Sequence, residues 1–154
     1  FKDRVIRCAI GKEGATTHKR EGDSKTPLGS FPMRELLYRS DRIALPPLHL
    51  SFHPTAITPD MGWCDDASDP LYNKRVPLPY PACHETLWRD DERYDIIIPL
   101  GYNDNPSIPP LGSAIFFHLC EEINMGTEGC IATKRDDMLF LLPNIRVNML
   151  LSIS

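Results

Sequence analysis

Proline constrains this chain more than any other feature: 15 of 154 residues, about twice the usual share of ~5%. A proline fixes φ and brings no backbone donor, so helices and central strands cannot run far through such a sequence. Short strands joined by stiff loops are expected. Eight of the prolines (Pro46, Pro47, Pro54, Pro59, Pro70, Pro77, Pro79 and Pro81) fall between residues 46 and 84. That stretch reads as an ordered surface excursion forming one wall of a groove or a lid over it, since long segments inside a compact domain are usually functional.

The remaining composition narrows the class. With 42% hydrophobic and 25% charged residues, residues 1–154 read as one globular domain with a sizeable core, neither disordered nor coiled coil. No apolar run approaches the ~18 residues of a membrane-spanning helix. A net charge of -4 provides no field for nucleic acid. The start at Phe1, without Met or a signal pattern, reads as a mature or truncated product.

Val5–Ile10 is expected to be an opening strand stopped by Gly11, and residues 12–27 a loop or hairpin. Leu28–Tyr38 resumes strand character, and Glu85–Asp91 suggests a short helix. Tyr94–Gly101 and Ser113–His118 are near-continuous apolar runs, as in strands buried on both faces. Thr133–Asp136 has capping-box form ahead of an apolar helix of about two and a half turns ended by Pro143. From Val147 on, Met149, Leu151 and Ile153 alternate with polar residues, marking a half-buried closing strand. The sum is a mostly β domain, sandwich or barrel, with a few short helices.

Cys8, Cys64, Cys83, Cys120 and Cys130 are an odd number, so at least one thiol has no partner within the chain, and four cysteines allow three pairings. His49 and His53, with Cys64 and Cys83 further on, are the zinc alternative. No Cys-x2-4-Cys knuckle accompanies them, and loop histidines with buried thiols account for the same residues. No metal is assigned. Asp65, Asp66 and Asp69 read as a solvated turn, and Lys19, Glu21 and Asp23 as a hairpin with internal ion pairs.

One constellation carries chemistry. His118 ends an apolar strand on the face of Ala114 and Phe116, where an imidazole needs a hydrogen bond or an outlet into a cleft. Nine residues later begins Thr127-Glu128-Gly129-Cys130. A glycine before a cysteine permits a tight turn, and the amides of Gly129 and Cys130 suit an oxyanion hole. A thiol becomes nucleophilic when a histidine cation or a helix N-terminus favours thiolate, and the helix expected shortly after Cys130 would serve. Acyl transfer through a thioester fits; two packing residues twelve apart are the plain alternative.

The order Lys19-Arg-Glu21-Gly22-Asp23-Ser-Lys-Thr26-Pro27-Leu-Gly29, a strand-end histidine, then Thr-Glu-Gly-Cys resembles the catalytic domain of the L,D-transpeptidases, the YkuD-type cell-wall enzymes of bacteria. Gly62–Asp66, Tyr72-Asn73 and His84–Arg89 are similar to one proteobacterial branch. Two positions depart from the commonest motif: Glu128 stands where histidine is usual, and Ala132 where arginine usually follows two residues after the cysteine. The resemblance implies a YkuD-like β-sandwich or barrel, Cys130 as nucleophile and His118 as base. It implies peptidoglycan stem peptides as donor and acceptor, carbapenem-type inhibitors, no cofactor, and a monomer in the periplasm or cell wall. Cross-linking would be 3-3 or 1-3, with carboxypeptidase or D-amino-acid exchange as other outcomes of one thioester. Substrate contacts fall to Thr127 and Glu128 beside the cysteine, to His84 and Arg89 if the excursion folds over the groove, and to Tyr102 as an aromatic wall. A YkuD-fold wall-binding or regulatory module without turnover is the alternative.

Overall fold

A computed structural model describes residues 3–154. In chain order the strands are β1 (Ala15–Thr16), β2 (Thr26–Pro27), β3 (Gly29–Pro32), β4 (Leu36–Tyr38), β5 (Pro54–Ala56) and β6 (Met61–Cys64). There follow β7 (Arg75–Pro77), β8 (His84–Thr86), β9 (Ile96–Pro99), β10 (Phe116–Leu119), β11 (Ile131–Thr133), the helix α1 (Arg135–Leu141) and β12 (Leu150–Ile153). No strand among the described residues exceeds four residues, as the spread of proline requires. The architecture is the mostly β sandwich expected of a YkuD-type domain.

A five-stranded sheet, ordered β11-β10-β9-β4-β5, forms the centre. Successive side chains in a strand point to opposite faces, and here both faces are covered. Leu36, Ile96, Ile98, Phe117, Leu119 and Ile131 enter a cluster with Met138 and Leu142 of the α1 region. Their neighbours Leu37, Ile97, Phe116 and Cys130 enter a second cluster, against which Met61 and Trp63 of β6 pack. That is why the strands read as continuous apolar runs: each residue has a dry face to occupy. The second cluster lies under a small sheet, β7-β6-β8, built from the proline-rich segment. The excursion is therefore an ordered sheet layer.

Several expectations are corrected. Val5–Ile10 forms no strand: Ala9 makes an isolated bridge to Ala132, and Val5 is 95% exposed. Residues 12–27 are held by the parallel pair β1-β2, which is not a hairpin. Glu85–Asp91 is not helical, because Glu85 pairs with Trp63 as part of β8. The capping box does not form: Thr133 ends β11 and its hydroxyl donates to the Arg7 carbonyl at 3.0 Å. Lys134 is the N-cap, without a side-chain bond, and α1 has seven residues. The closing strand starts at Leu150, antiparallel to β3. Its Leu151 and Ile153, with Met149 before it, pack on the first cluster, whereas Val147 is exposed.

Candidate active site

The geometry follows from one register. β10 and β11 run parallel with Phe117 opposite Ile131 and His118 opposite Ala132. Cys130, immediately before β11, thus falls beside Phe116 and on the same face as His118, which stands two residues along, about 7 Å in the strand direction. The Phe116 amide donates to Cys130 Sγ at 3.4 Å, and the thiol donates to the Ala114 carbonyl at 3.2 Å. His118 Nδ1 lies 2.7 Å from the Leu119 carbonyl. A carbonyl only accepts, so Nδ1 carries the proton and Nε2 the lone pair. Both side chains line one cavity of about 430 Å³, together with Glu85, Arg89, Tyr94, Thr127 and Glu128.

The turn carrying Cys130 is fixed by buried hydroxyls. Thr127 Oγ1 donates to the Cys130 carbonyl at 2.7 Å and accepts the Gly129 amide at 3.1 Å. Thr26 Oγ1 donates to the same carbonyl at 3.2 Å while accepting the Gly11 amide at 2.8 Å. Gly129 has φ +136, and a Cβ there would come within 2.9 Å of the Lys25 carbonyl, so the position admits only glycine. Its amide is engaged by the Thr127 hydroxyl and is not free to donate elsewhere. The Lys19 ammonium, buried near this turn, donates to the Arg20 carbonyl and pairs with Asp23. Burial alone would raise the Asp23 carboxyl, but Lys19 and the amides of Arg20 and Lys25 pull it below its usual range.

The Ala114 acceptor is itself held in place. Ala114 has φ +52, an uncommon conformation for a residue with a Cβ. Its amide donates to Asn73 Oδ1 at 3.0 Å. Asn73 is buried, accepts the Trp63 indole N–H at 3.0 Å and donates to the Tyr102 and Asn103 carbonyls at 3.1 and 2.8 Å. One side chain thus uses its four hydrogen-bonding directions to tie β6, the 102–103 turn and the entry to β10 together. Nearby, Glu21 accepts from Tyr72 and from Ser113 Oγ, and the Tyr72 hydroxyl accepts the Gly112 amide at 2.9 Å.

Electrostatics set the resting protonation state. Burial pushes the Cys130 thiol up to about 12, and the nearby charge of Glu85 adds to the rise; the Phe116 amide and Lys19 oppose it. Burial pushes His118 down to about 4, against the pull of the Leu119 carbonyl. At neutral pH the site holds a thiol and a neutral imidazole. The expected helix N-terminus does not act on the cysteine, because β11 intervenes before α1.

The other sequence candidates divide. Arg89, Thr127 and Glu128 reach the cavity. Arg89 is clamped to Asp91 at 2.8 and 2.6 Å, and Glu128 binds Lys12 and accepts from Ser24 Oγ at 2.7 Å. His84 lies away from the cavity, its Nδ1 donating to the Ala82 carbonyl at 2.8 Å and its ring against Tyr80. Tyr102 packs edge-on against Phe31 and donates to the Leu111 carbonyl at 2.6 Å, a structural position away from the cavity. All five cysteines are free thiols. Among the described residues no three His, Cys, Asp or Glu side chains converge as metal ligands, which separates the His49, His53, Cys64 and Cys83 set. The internal ion pair expected in the Lys19–Asp23 segment forms between Lys19 and Asp23, but Lys19 is buried and Glu21 bonds outside the segment. The Leu119 carbonyl and Asn73 had been given no role. An asparagine directly after a tyrosine is a faint sign for the latter, since Asn tolerates positive φ, and Asn73 has φ +59.

A β-sandwich presenting a buried cysteine and histidine to a common cleft defines a class of thiol-bearing β domains. The chain belongs to the YkuD family of L,D-transpeptidase catalytic domains, whose family model matches residues 2–153. Comparison with curated proteins and with solved structures returned no match.

Proposed function

We propose that this chain is a peptidoglycan L,D-transpeptidase that carries the stem acyl group as a thioester on Cys130. The observation that carries the reading is the placement of the thiol and the lone-pair nitrogen of His118 on one face of adjacent parallel strands, opening into the same cavity. A thiol so far from ionisation is inert by itself. The neutral imidazole makes the pair competent on demand. With a stem carbonyl in place, Nε2 takes the thiol proton as Sγ attacks, and the imidazolium returns it to the departing D-amino acid. The Cys130 amide faces the charge developing on the carbonyl oxygen. An amine from a second stem then forms a 3-3 or 1-3 cross-link, water gives carboxypeptidase activity, and a free D-amino acid gives exchange. The place of work is the periplasm or cell wall, where this substrate lies. Among the described residues no helix is long and apolar enough to cross a membrane.

Incubation with a carbapenem should add one inhibitor mass to the protein, localised by peptide mapping to Cys130, and Cys130→Ala should remove it. A muropeptide digest of treated sacculi reads linkage, trimming and exchange together. No adduct and an unchanged digest would leave a wall-binding or regulatory module in place of an enzyme.

A further inference from the structure

On the reading that this site transfers stem acyl groups, we propose that Glu85, oriented by Tyr94, is the acceptor-amine subsite: its carboxylate holds the incoming ammonium beside the Cys130 thioester. Glu85 lies on β8 opposite Trp63 and lines the same cavity as Cys130 and His118. Its Oε2 accepts from the Tyr94 hydroxyl, and its Oε1 takes no hydrogen bond among the described residues. Most other charges in the cavity are matched: Asp91 pairs with Arg89 at 2.6 Å and with Arg93 at 3.9 Å, and Glu128 pairs with Lys12. Glu121 and Glu122 also lack a described cation but are exposed at the cavity mouth. Glu85 is the carboxylate drawn inward without an ion pair of its own: burial raises its carboxyl, and Arg89 opposes that rise from within its pair with Asp91.

Tyr94 links this carboxylate to the chemistry. It is buried, its ring stands edge-on to His118 at 5.3 Å and to Phe116 at 5.8 Å, and its hydroxyl reaches Glu85. One rigid ring therefore sets the distance between the base and the carboxylate. A carboxylate partly withdrawn from water, with one oxygen taken by Tyr94 and the other facing the cavity, gains from the arrival of a cation. It also opposes the first half-reaction, because its charge raises the Cys130 thiol. A group that hinders acylation gains a purpose in the second half-reaction, where an amine acceptor reaches the site as an ammonium and water does not.

The nitrogen loses two protons in forming the amide. One leaves to bulk water through the open cavity as the ammonium becomes an amine. The other passes to His118 Nε2 as the N–C bond forms, and then to Sγ as the C–S bond breaks, regenerating the thiol.

The test is the partition of the thioester in Glu85→Gln, which keeps the shape and removes the charge. With a stem-peptide donor, aminolysis by a cationic amine acceptor should fall about tenfold or more relative to hydrolysis. Hydroxylamine, uncharged at neutral pH, should keep its share, and carbapenem acylation should be no slower. Tyr94→Phe, which keeps the ring and loses the hydroxyl, should shift the partition the same way by a smaller factor. An unchanged partition with the cationic acceptor would overturn the proposal, as would a parallel loss of hydroxylamine aminolysis and acylation. Failure of the unaltered protein to acylate at all would instead remove the transferase reading beneath it.

Discussion

Cys130 sits between two walls built on different principles. One is the β9–β11 side of the central sheet, where Cys130 shares an apolar cluster with Phe116, Ile97 and Ala114. The other is the β6–β8 layer with the turn leading to Tyr94, which brings Glu85, Arg89 and Asp91 to the cavity. The first wall lowers the local dielectric and keeps both reacting groups neutral. The second supplies fixed charge to whatever enters. In the proposed reaction, separating these tasks lets the thiol stay protonated while the cleft remains polar enough to sort substrates.

The comparison breaks first at His118. If the apolar wall works by holding a neutral base, His118→Gln should slow carbapenem acylation by on the order of 10²–10⁴-fold. The unaltered protein should then acylate at a rate that is level through neutral pH and falls as pH drops toward about 4, where the imidazole protonates and loses its lone pair. A rate that survives the substitution and climbs steadily toward alkaline pH would mean that free thiolate reacts and the histidine only packs. Asn73→Ala sharpens the comparison at the point where the walls are fastened. Removing four hydrogen bonds around a buried amide should destabilise the protein by about 2–4 kcal/mol in urea unfolding, and a loss under 1 kcal/mol would show that the layers hold without it. The smallest effect is expected at Glu128→Gln. That side chain is largely exposed and paired with an exposed Lys12, so stability should move by less than about 1 kcal/mol and acylation by less than about twofold. A larger drop in acylation would move Glu128 into the chemistry.

The apolar wall was readable because its signal is continuous. Ile96-Ile97-Ile98 and Phe116-Phe117 leave no polar register, and only a strand dry on both faces explains them. His118 and Cys130 stood out against that background, one as a polar residue in an apolar run and the other after a glycine. The second wall has strands just as short, but they mix polar with apolar residues among prolines, so no pattern shows. Glu85–Asp91 has helix-forming residues, yet pairing of Glu85 with Trp63 decides its conformation, a case of tertiary context outweighing local preference. Thr133 misled for a related reason: its hydroxyl serves the N-terminal segment and not the helix that follows. The burial of Lys19 and the distance of His84 and Tyr102 from the cavity depend on how layers stack, which spacing along the chain does not encode.

The resting contact of the thiol with the Ala114 carbonyl has a chemical corollary. Small electrophiles and peroxide attack thiolates at accessible sites, and here Cys8 and Cys83 are exposed and Cys120 partly so. Cys130 stays quiet toward such reagents because nothing in them displaces the carbonyl or places an acyl carbon within reach of the sulfur. On the proposed reading its reactivity comes with docking, so a selective covalent inhibitor needs a shape that fits the cleft far more than it needs a hot warhead.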